Sequence, residues 1–437
     1  MITDMDVHSF TSHSLKDPRI LRILHAAIKA VDPYAAVQES LPKLDGRVYG
    51  LGIGKAALPM MDALADRFPI SGGLAVTKFA SGPSTSLRMS RKLCSVIEGG
   101  HPIPDARSLH AGQRVLEFVS ALNEDDTLVC LISGGGSALV TAPYIPLEDL
   151  QALTSLLLAS GARIDEINIL RRQLDRIKGG GLARATKANV ISLILSDVIG
   201  NPLEAIASGP TVPDPTTRED AIAVLEKYFP DLATESQRHS DSLNSVTRWL
   251  RGSNEENADN SSFARIENII VGDNRLAAQA AVKQAQQEGF RAENLTNELQ
   301  GEARHAGVML AKRLRGELTK RPRPFCLIAG GETTVKIKGS GKGGRNQELA
   351  LGAVNELAGL ENVMLISLAT DGDDGPTDAA GAVVTGESAQ RAKILGLDVK
   401  NSLSQNDAYP FFDTLGDLLK TGPTGTNVND LIFLCVM

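Results

Sequence analysis

Short apolar runs alternate with helix-length amphipathic segments along most of this chain, and this alternation constrains the fold more than any other feature. Residues 48–53, 127–133, 190–195 and 363–369 are apolar runs of the length of buried strands. The segments between them carry apolar residues at helical spacing. Strands separated by helices predict a mostly parallel sheet with helices on both faces. The fold class that we expect is therefore α/β.

The length of 437 residues indicates two domains, each large enough to bury its own core. The composition turns polar between Thr234 and Arg265, with the run RGSNEENADNSS at its centre. This run is typical of a linker or a surface excursion. We therefore predict one domain over residues 1–255 and a second over residues 256–437.

The formal net charge of −7 excludes a global basic surface for nucleic acid. The four cysteines lie in or beside apolar runs without metal-site spacing, so we expect reduced core residues. The first residues lack the pattern of a signal peptide, and no apolar run has the length of a membrane span. The sequence therefore predicts a cytoplasmic protein that binds small molecules, with no nucleic-acid or membrane partner.

The stretch 325–349 predicts an anion site. Residues 325–329 favour a strand, Gly330 and Gly331 a turn, residues 333–338 a second strand, and the following glycines the start of a helix over 346–360. Glycine backbones and helix N-termini bind phosphate well. The candidate binding residues here are Gly330, Gly331, Glu332, Arg345 and Asn346. A flexible basic surface hairpin remains the alternative.

A second glycine loop surrounds Lys55. Gly54 and Lys55 follow the strand 48–53 and open a helix. The third glycine of a dinucleotide fingerprint would fall at Lys55, and Ala56 replaces the hydroxyl residue of a Walker A loop, so neither motif applies. Lys55 is thus either a surface lysine or a catalytic cation.

A third loop follows the strand 127–133. Three consecutive glycines are costly in backbone entropy, and phosphate or carboxylate binding by backbone N–H groups explains them better than a plain turn. The candidate residues are Ser133, Gly134, Gly135, Gly136 and Ser137. His101, in the loop after the preceding strand, is either part of the same rim or a structural histidine.

Further candidates are charged. Arg171 and Lys178 suit phosphate or carboxylate, with a solvated helix face as the alternative. Asp197 follows the strand 190–195, where a carboxylate holds magnesium, accepts a proton or caps a helix.

The last strand ends also carry polar residues. Asp371, Asp373 and Asp374 follow the strand 363–369, and they indicate a magnesium and general-base cluster or an acidic turn. Thr424 and Asn427 lie in a hydroxyl and amide loop suited to small polar ligands. Anion cradles, cations and strand-end carboxylates together indicate magnesium-dependent phosphoryl transfer. A serine or cysteine triad fits poorly, because Ser133 and Ser137 lack the nucleophile motif.

Taken together, these motifs resemble the class II glycerate 2-kinase family over essentially the full length. The matching segments are GLGIGKAA (50–57), GGHPIPDA (99–106), LISGGGSAL (131–139), IKGGGLA (177–183), SDVIGNPLEAIASGPTVPD (196–214), AGGETTV (329–335), GGRNQELAL (343–351), TDGDDGPTDAAGA (370–382) and TGPTGTNVNDL (421–431). The resemblance implies an N-terminal Rossmann-like domain with a mostly parallel sheet, a C-terminal MOFRL-type domain with a mixed sheet, and an active-site cleft between them.

The resemblance also implies ATP-dependent phosphorylation of D-glycerate at its 2-hydroxyl, with Mg²⁺ as cofactor. Lys55 matches the family's proposed active-site lysine, and Arg345 matches its arginine. Asp371 and Asp197 are then the carboxylates for magnesium or proton transfer, and Asp373 is not needed. Gln173 departs from the histidine of many relatives. A hydroxypyruvate reductase, a non-catalytic sugar-phosphate sensor and a homodimer remain open.

Overall fold

The computed structural model describes residues 7–78, 94–101, 103–230, 240–252 and 260–437. The chain divides into two compact units. The N-terminal unit contains Val37–Ser196 and Asn201–Val271, and the C-terminal unit contains Met1–Ala36, Asp197–Gly200 and Gly272–Met437. The start of the chain thus belongs to the C-terminal unit.

Strands and helices alternate up to Gly272, as the sequence predicts. The strands are β1 (Arg47–Ile53), β2 (Ile70–Thr77), β3 (Cys94–Glu98), β4 (Asp126–Ile132), β5 (Asn189–Leu195) and β6 (Ile266–Gly272). The α-helices are α1 (Pro18–Lys29), α2 (Pro33–Ser40), α3 (Ala57–Arg67), α4 (Ala106–Ser120), α5 (Gly136–Leu139), α6 (Leu147–Ala159), α7 (Ile164–Gln173), α8 (Gly181–Ala185), α9 (Arg218–Tyr228) and α10 (Ser240–Gly252).

The N-terminal unit is built on a six-stranded sheet in the order β3-β2-β1-β4-β5-β6. The strand pairs β3–β2, β2–β1, β1–β4 and β4–β5 are all parallel. Strand β4 is buried at every position, as expected for a strand covered on both faces. Ile53 of β1 pairs with Ile132 of β4. The loops after these two central strands therefore start side by side.

Helices α6, α7, α9 and α10 share a separate apolar core in this unit. Leu153, Leu170, Leu225 and Val246 are among its buried residues. Helix α10 lies inside the predicted linker 234–265. The linker prediction is therefore wrong for these residues. The apolar face of the helix buries against neighbouring helices, and the polar composition of the surrounding residues hid it.

The C-terminal unit follows a mixed pattern. Its strands are β7 (Arg291–Leu299), β8 (Phe325–Gly331), β9 (Val363–Ala369), β10 (Gly381–Thr385), β11 (Leu418–Leu419) and β12 (Asp430–Val436). Its further helices are α11 (Asn274–Gln287), α12 (Ala303–Glu317), α13 (Arg345–Leu357), α14 (Ser388–Ile394), α15 (Val399–Gln405) and α16 (Ala408–Leu415).

The second sheet has the order β11-β10-β9-β12-β8-β7. Strands β7 and β8 are parallel, and the other four pairings are antiparallel. Leu327 and Leu365 pack in one core with α12, α13 and α16. Their neighbours Ile328 and Ile366 are equally buried, and successive strand residues face opposite sides of a sheet. The sheet is therefore covered on both faces, which confirms the predicted α/β class with a mixed C-terminal sheet.

Helix α1 joins this unit by packing against α11. Asp17 caps α1 by accepting a hydrogen bond from the Arg19 N–H, and Pro18 occupies its first turn. Leu21, Leu24 and Ile28 are among its fully buried residues. The two units therefore differ from the predicted domains 1–255 and 256–437 at the N-terminus. The predicted boundary itself lies outside the described residues.

The structure also corrects the prediction for residues 325–349. Residues 333–338 form no strand, and Gly330 and Gly331 belong to β8 instead of a turn. The side chain of Asn406 accepts hydrogen bonds from the N–H groups of Lys338 and Gly339, which holds this segment as a loop. Strands β7, β10 and β11 were not predicted.

All four cysteines are buried free thiols, so their predicted core location is confirmed. None of the helices in the described ranges is both long and apolar enough to cross a bilayer.

Candidate active site

In the N-terminal unit, hydrogen bonds tie the loops after β1 and β4 to each other. The Ser133 N–H donates to the Ile53 carbonyl at 2.9 Å, and the Lys55 N–H donates to the Gly134 carbonyl at 3.0 Å. The Ala56 N–H donates to Ser133 Oγ at 3.0 Å. These bonds fix the backbone of Lys55, while its side chain is exposed and forms no ion pair in the described part of the chain.

Gly54 is the residue that lets these two loops approach. Its φ of +129° lies in the region open to glycine. A Cβ atom there would lie 2.3 Å from Ser133 Oγ. The predicted residues Gly54, Lys55, Ser133 and Gly134 are therefore neighbours.

The remaining glycines of the turn, Gly135 and Gly136, lie beside a segment with a strained backbone. Gly135 has φ +85°, and a Cβ atom on Gly136 would lie 2.9 Å from the Ala207 Cβ. The hydroxyls of Ser137 and Ser208 are 2.7 Å apart. Ala207 and Ser208 have φ of +50° and +61°, which is costly for residues with a side chain. Strain of this kind beside a glycine turn is typical of a functional site.

His101 lies at the same turn. A Cβ atom on Gly135 would be 3.4 Å from His101 Nε2 and 3.6 Å from Lys55 Cγ, so both side chains border this glycine. Burial, then the charges of Lys55 and Lys78, lowers the pKa of His101. The imidazole is therefore neutral at neutral pH.

Two predicted cations lie elsewhere in this unit. The Lys178 ammonium is buried and lies 2.6 Å from Asp175 Oδ2 and 3.2 Å from Thr141 Oγ1. This geometry favours a structural role for Lys178 over ligand contact. Arg171 is half-buried, and burial lowers its pKa. It forms no ion pair within the described ranges, and its guanidinium lies 3.5 Å from Asn168 Oδ1.

Gln173 has a defined role beside these cations. Its amide donates to Asp214 Oδ2 and to the Thr216 carbonyl, both at 2.9 Å. Arg172 pairs with the other oxygen of Asp214 at 2.8 Å. Gln173 therefore stabilises the loop around Asp214.

In the C-terminal unit, Arg345 begins α13 and is held by two carboxylates. Its Nε and Nη2 donate to the two oxygens of Asp430 at 2.6 and 3.1 Å. Its Nη1 donates to Glu332 Oε1 at 2.6 Å. Asp430 is 3% exposed, whereas Glu332 is 43% exposed. We call Glu332, Arg345 and Asp430 the arginine cluster.

In the arginine cluster, burial and the neighbouring charges shift the pKa of each group in opposite directions. Burial raises the pKa of Asp430, and Arg345 only partly offsets the effect. Burial disfavours the charged form of Arg345, but Asp430 and Glu332 outweigh it and raise its pKa. The guanidinium is thus permanently charged, and its charge is already matched by two acids.

A third carboxylate caps α13. Asp374 accepts the Asn346 N–H at 3.0 Å and the Gln347 N–H at 2.8 Å. A Cβ atom on Gly344 would lie 2.3 Å from the Asp374 Cγ, so glycine is needed where the helix begins. Burial raises the pKa of Asp374 to about 7, against the lowering effect of the two N–H groups.

The other acids of this loop are more accessible. Asp371 is half-buried and Asp373 is exposed, and the Asp373 N–H donates to Asp371 Oδ1 at 3.2 Å. The Thr424 N–H donates to the Asp371 carbonyl at 3.1 Å, which brings Thr424 to this loop. Thr424 Oγ1 donates to the Thr370 carbonyl, so its hydroxyl is used internally. Asn427 is half-buried and accepts the N–H of Asn429.

Gly330 and Gly331 serve packing. A Cβ atom on Gly330 would overlap the Asn274 side chain, at 1.7 Å from its Oδ1. One on Gly331 would lie 2.3 Å from the Leu299 carbonyl oxygen. These contacts explain the glycines without a bound anion.

The candidate metal ligands are Asp197 and Asp371. Asp197 is half-buried and follows β5 by two residues, and its short segment Asp197–Gly200 groups with the C-terminal unit. No group of three or more His, Cys, Asp or Glu side chains suited to a metal ion occurs within the described residues. Mg²⁺ needs only one or two carboxylates when phosphates and water complete its shell, so this donor set fits a metal that arrives with a nucleotide.

Known proteins share this arrangement of sequence and fold. Residues 19–240 match the family described as "Domain of unknown function (DUF4147)", and residues 325–430 match the MOFRL family. The chain is 42% identical to the glycerate 2-kinase of Pyrococcus horikoshii, covering 95% of this chain and 96% of that protein. It is 44% identical to the D-glycerate 2-kinase of Thermotoga maritima, covering 97% and 99%. The chain belongs to the class II glycerate 2-kinase family.

A solved structure extends the likeness to the fold. The crystal structure of the Thermotoga maritima glycerate kinase matches with a TM-score of 0.85 and 43% identity, over 95% of this chain and 98% of that one. A relative from Agrobacterium vitis, 38% identical over 94% of this chain and 92% of that protein, is named a putative hydroxypyruvate reductase. The predicted glycerate 2-kinase family and two-domain α/β class are thus confirmed.

Within this glycerate 2-kinase fold, the roles of Asp374 as a cap and of Asp430 as the partner of Arg345 were not predicted. Asp430 begins β12, which runs antiparallel to β8 and β9 and pairs at Asp430 with Gly331 and Ala369. The start of one strand therefore lies beside the ends of two others. Strand direction, which the sequence does not show, was the missing information.

Proposed function

We propose that this chain transfers the γ-phosphoryl group of ATP to the 2-hydroxyl of D-glycerate and forms 2-phospho-D-glycerate. As a member of its family, the chain is a glycerate kinase that uses ATP. Support for the 2-position comes from the identity of 42% and 44%, over nearly the whole chain, with two proteins named as 2-kinases.

Lys55 is our candidate for stabilising the transferring phosphoryl group. Its backbone is fixed between two sheet loops, and its ammonium is exposed without a carboxylate partner in the described ranges. Phosphoryl transfer relies on positioned cations, because negative charge develops on the equatorial oxygens. The backbone of Ser133, Gly134 and Gly135 and the hydroxyl of Ser137 would line the phosphates at this turn.

Arg345 is our candidate for binding the glycerate carboxylate. Two acids already hold its guanidinium, so an incoming anion must replace one of them. Glu332 is the exposed partner and Asp430 the buried one. We therefore assign the glycerate carboxylate to Nη1, in the place of Glu332, while Asp430 keeps the orientation of the guanidinium through Nε and Nη2.

Asp371 and Asp197 are our candidates for holding Mg²⁺ or accepting the proton of the 2-hydroxyl. Bound Mg²⁺ would neutralise charge on the phosphates. A carboxylate that receives the hydroxyl proton must be ionised and accessible, and both aspartates are half-buried at strand ends. Removing magnesium with EDTA should therefore abolish turnover, and adding Mg²⁺ back should restore it.

A coupled assay for ADP formation tests this function. Purified protein is given ATP and D-glycerate, with L-glycerate and glycerol as matched controls, and the product isomer is identified by NMR. We expect ADP formation with D-glycerate alone and a 2-phosphoglycerate product. Formation of the 3-isomer would refute the assigned position, and absence of ADP would refute the kinase.

The name of the Agrobacterium vitis relative keeps a hydroxypyruvate reductase as the second candidate. The loop after β1 lacks a dinucleotide fingerprint, since Lys55 stands where its third glycine belongs. Oxidation of NADH or NADPH by hydroxypyruvate, followed at 340 nm, discriminates the two activities. We expect no oxidation above a sample without protein. A sugar-phosphate sensor would instead gain thermal stability from ligand without consuming ATP.

A further inference from the structure

His101 has no part in the function proposed so far, although the fold holds it in place. A Cβ atom on Gly99 would lie 2.2 Å from the Leu139 carbonyl oxygen, so the loop before His101 packs against the end of α5. The Gly100 N–H donates to Ser108 Oγ at 2.9 Å, which ties the loop to α4 as well. The loop leading into His101 is therefore anchored on both sides.

The imidazole faces the glycine turn. Its Cδ2 and Nε2 lie 3.2 and 3.4 Å from the position that a Cβ atom on Gly135 would take. Lys55 Cγ lies 3.6 Å from the same position. Gly135 and His101 are half-buried, so this surface is partly open. No hydrogen bond within the described residues uses the imidazole. A structural histidine would normally have its nitrogens satisfied.

The charges that face His101 are positive. The charges of Lys55, from the loop after β1, and of Lys78, directly after β2, both act on the imidazole. The nearby acids are engaged elsewhere: Asp105 caps α4 and pairs with Arg107 at 2.8 Å, and Glu98 lies 3.7 Å from Arg107. An anion that binds at this turn would offset the two lysines and favour a proton on the ring.

We infer that His101 is a further ligand of the phosphoryl group received at the Gly134–Gly136 turn, and that its imidazole gains a proton when this group binds. The inference rests on the proposed function, which puts phosphate beside Lys55. The protonated ring donates a hydrogen bond to a phosphate oxygen, and charge-assisted bonds of this type are the stronger ones. The proton comes from the acid form of the buffer, so an N–H bond forms on the ring as the buffer loses its proton, and no other covalent bond changes.

Isothermal titration calorimetry in two buffers of different ionisation enthalpy measures proton uptake on binding. The ligands are ATP and 2-phosphoglycerate, which separate a nucleotide phosphate from a phosphorylated acid. The variants are His101→Gln, which cannot gain a proton at this position, and His101→Ala. His110→Gln is the matched control, because His110 is an exposed residue of α4.

We expect the wild type to take up more protons than His101→Gln near pH 6.5, by up to one per ligand, with at least one of the two ligands. His101→Ala should bind that ligand roughly tenfold more weakly, as expected for the loss of a charge-assisted hydrogen bond. His110→Gln should match the wild type. Circular dichroism checks that each variant is folded.

Equal proton uptake in the wild type and His101→Gln, with equal affinity in His101→Ala, overturns the inference while leaving the kinase intact. A wild type that binds neither ligand overturns both. A wild type that binds ATP with proton uptake through His101, but does not phosphorylate D-glycerate, overturns the proposed function alone.

Discussion

Two basic residues singled out by the sequence have opposite environments in the structure. Lys55 is exposed, and within the described part of the chain it has no acidic partner. Arg345 is bound by the two carboxylates of its cluster. A free ammonium can meet a phosphate directly, whereas a paired guanidinium must first exchange a partner. Loss of the two side chains should therefore have different consequences for stability.

Lys55→Ala should lower kcat about 100-fold or more, on the scale of removing a preorganised charge-stabilising group. Its unfolding midpoint in urea should stay close to that of the wild type, because an exposed side chain is lost. Lys187→Ala, at another exposed lysine of the same unit, is the control and should retain kcat. Near-normal kcat in Lys55→Ala would refute the assigned role.

Arg345→Ala should lose roughly 100-fold or more in turnover and also about 3–5 kcal/mol of stability, because Asp430 is left buried without its cation. Adding Asp430→Asn should recover much of the stability without the activity. Glu332→Gln should change stability little, since the pair with Glu332 is exposed. Urea unfolding and the coupled assay measure these effects. Equal stability of Arg345→Ala and wild type would contradict the argument.

Asp374 should make stability depend on pH. Burial raises its pKa from 3.8 to about 7, so the folded state binds a proton that the unfolded state has lost between these values. This group's contribution to stability therefore falls as pH rises from about 4 to 7, by at most about 1.4 kcal/mol per pH unit. Urea unfolding from pH 5 to 8 should show a shallower fall in Asp374→Asn. Asp373→Asn, at the exposed neighbour, should retain the wild-type slope.

At the scale of elements, the carboxyl ends of parallel strands bring glycine turns together, but the turn geometry depends on segments far away in sequence. The triple-glycine turn follows β4 and rests on Ala207 and Ser208, which precede α9. The strand pattern predicts where the turn lies. Only the packed structure shows what supports it and which side chains border it.

Gly135→Ala should impair function more than stability. The variant meets two costs, the positive φ and the approach to His101, and the stability loss should be on the order of 1–2 kcal/mol. Gly161→Ala is a close control, because Gly161 has φ +74° and open space around its Cβ position. Both variants should lose similar stability in urea, but only Gly135→Ala should lose ATP affinity. Equal ATP affinity would exclude a role for this turn.

At the scale of the whole molecule, the start of the chain completes the C-terminal unit. Asp417 is fully buried, and it accepts the Ser14 N–H at 2.8 Å and pairs with Arg391 at 2.8 Å. Thr426 Oγ1 donates to the Val31 carbonyl at 2.6 Å. Met1–Ala36 and Gly272–Met437 both belong to the C-terminal unit, which is therefore discontinuous in sequence.

Leu24→Ala should therefore destabilise the C-terminal unit, although Leu24 is close to the N-terminus. Removal of a fully buried leucine costs about 2–5 kcal/mol. Hydrogen exchange should speed up in β8, β9 and β12 more than in β1 and β4. Leu158→Ala, at a leucine that is 58% exposed, is the control. Faster exchange confined to the N-terminal sheet would contradict the assignment of α1.

Local sequence determined much of this protein. Apolar runs predicted β1, β4, β5, β8 and β9, with β9 at its observed bounds, because buried strands must be continuously apolar. Nine motifs in order predicted the family. The glycine turns and Lys55 were found because tight turns require glycine wherever φ is positive.

Tertiary structure decided the rest. The loop 333–338 resembles a strand locally, but Thr334 forms only an isolated bridge with Glu302, and the Lys338 N–H bonds to the Asn406 side chain. The partners of Arg345 depend on β12 running antiparallel to its neighbours. Helix α1 joins a unit whose sheet begins only with β7 at Arg291. These outcomes depend on which distant residues meet. Local propensity carries no information about such meetings, because the free energy of burial is gained only when both partners are in place.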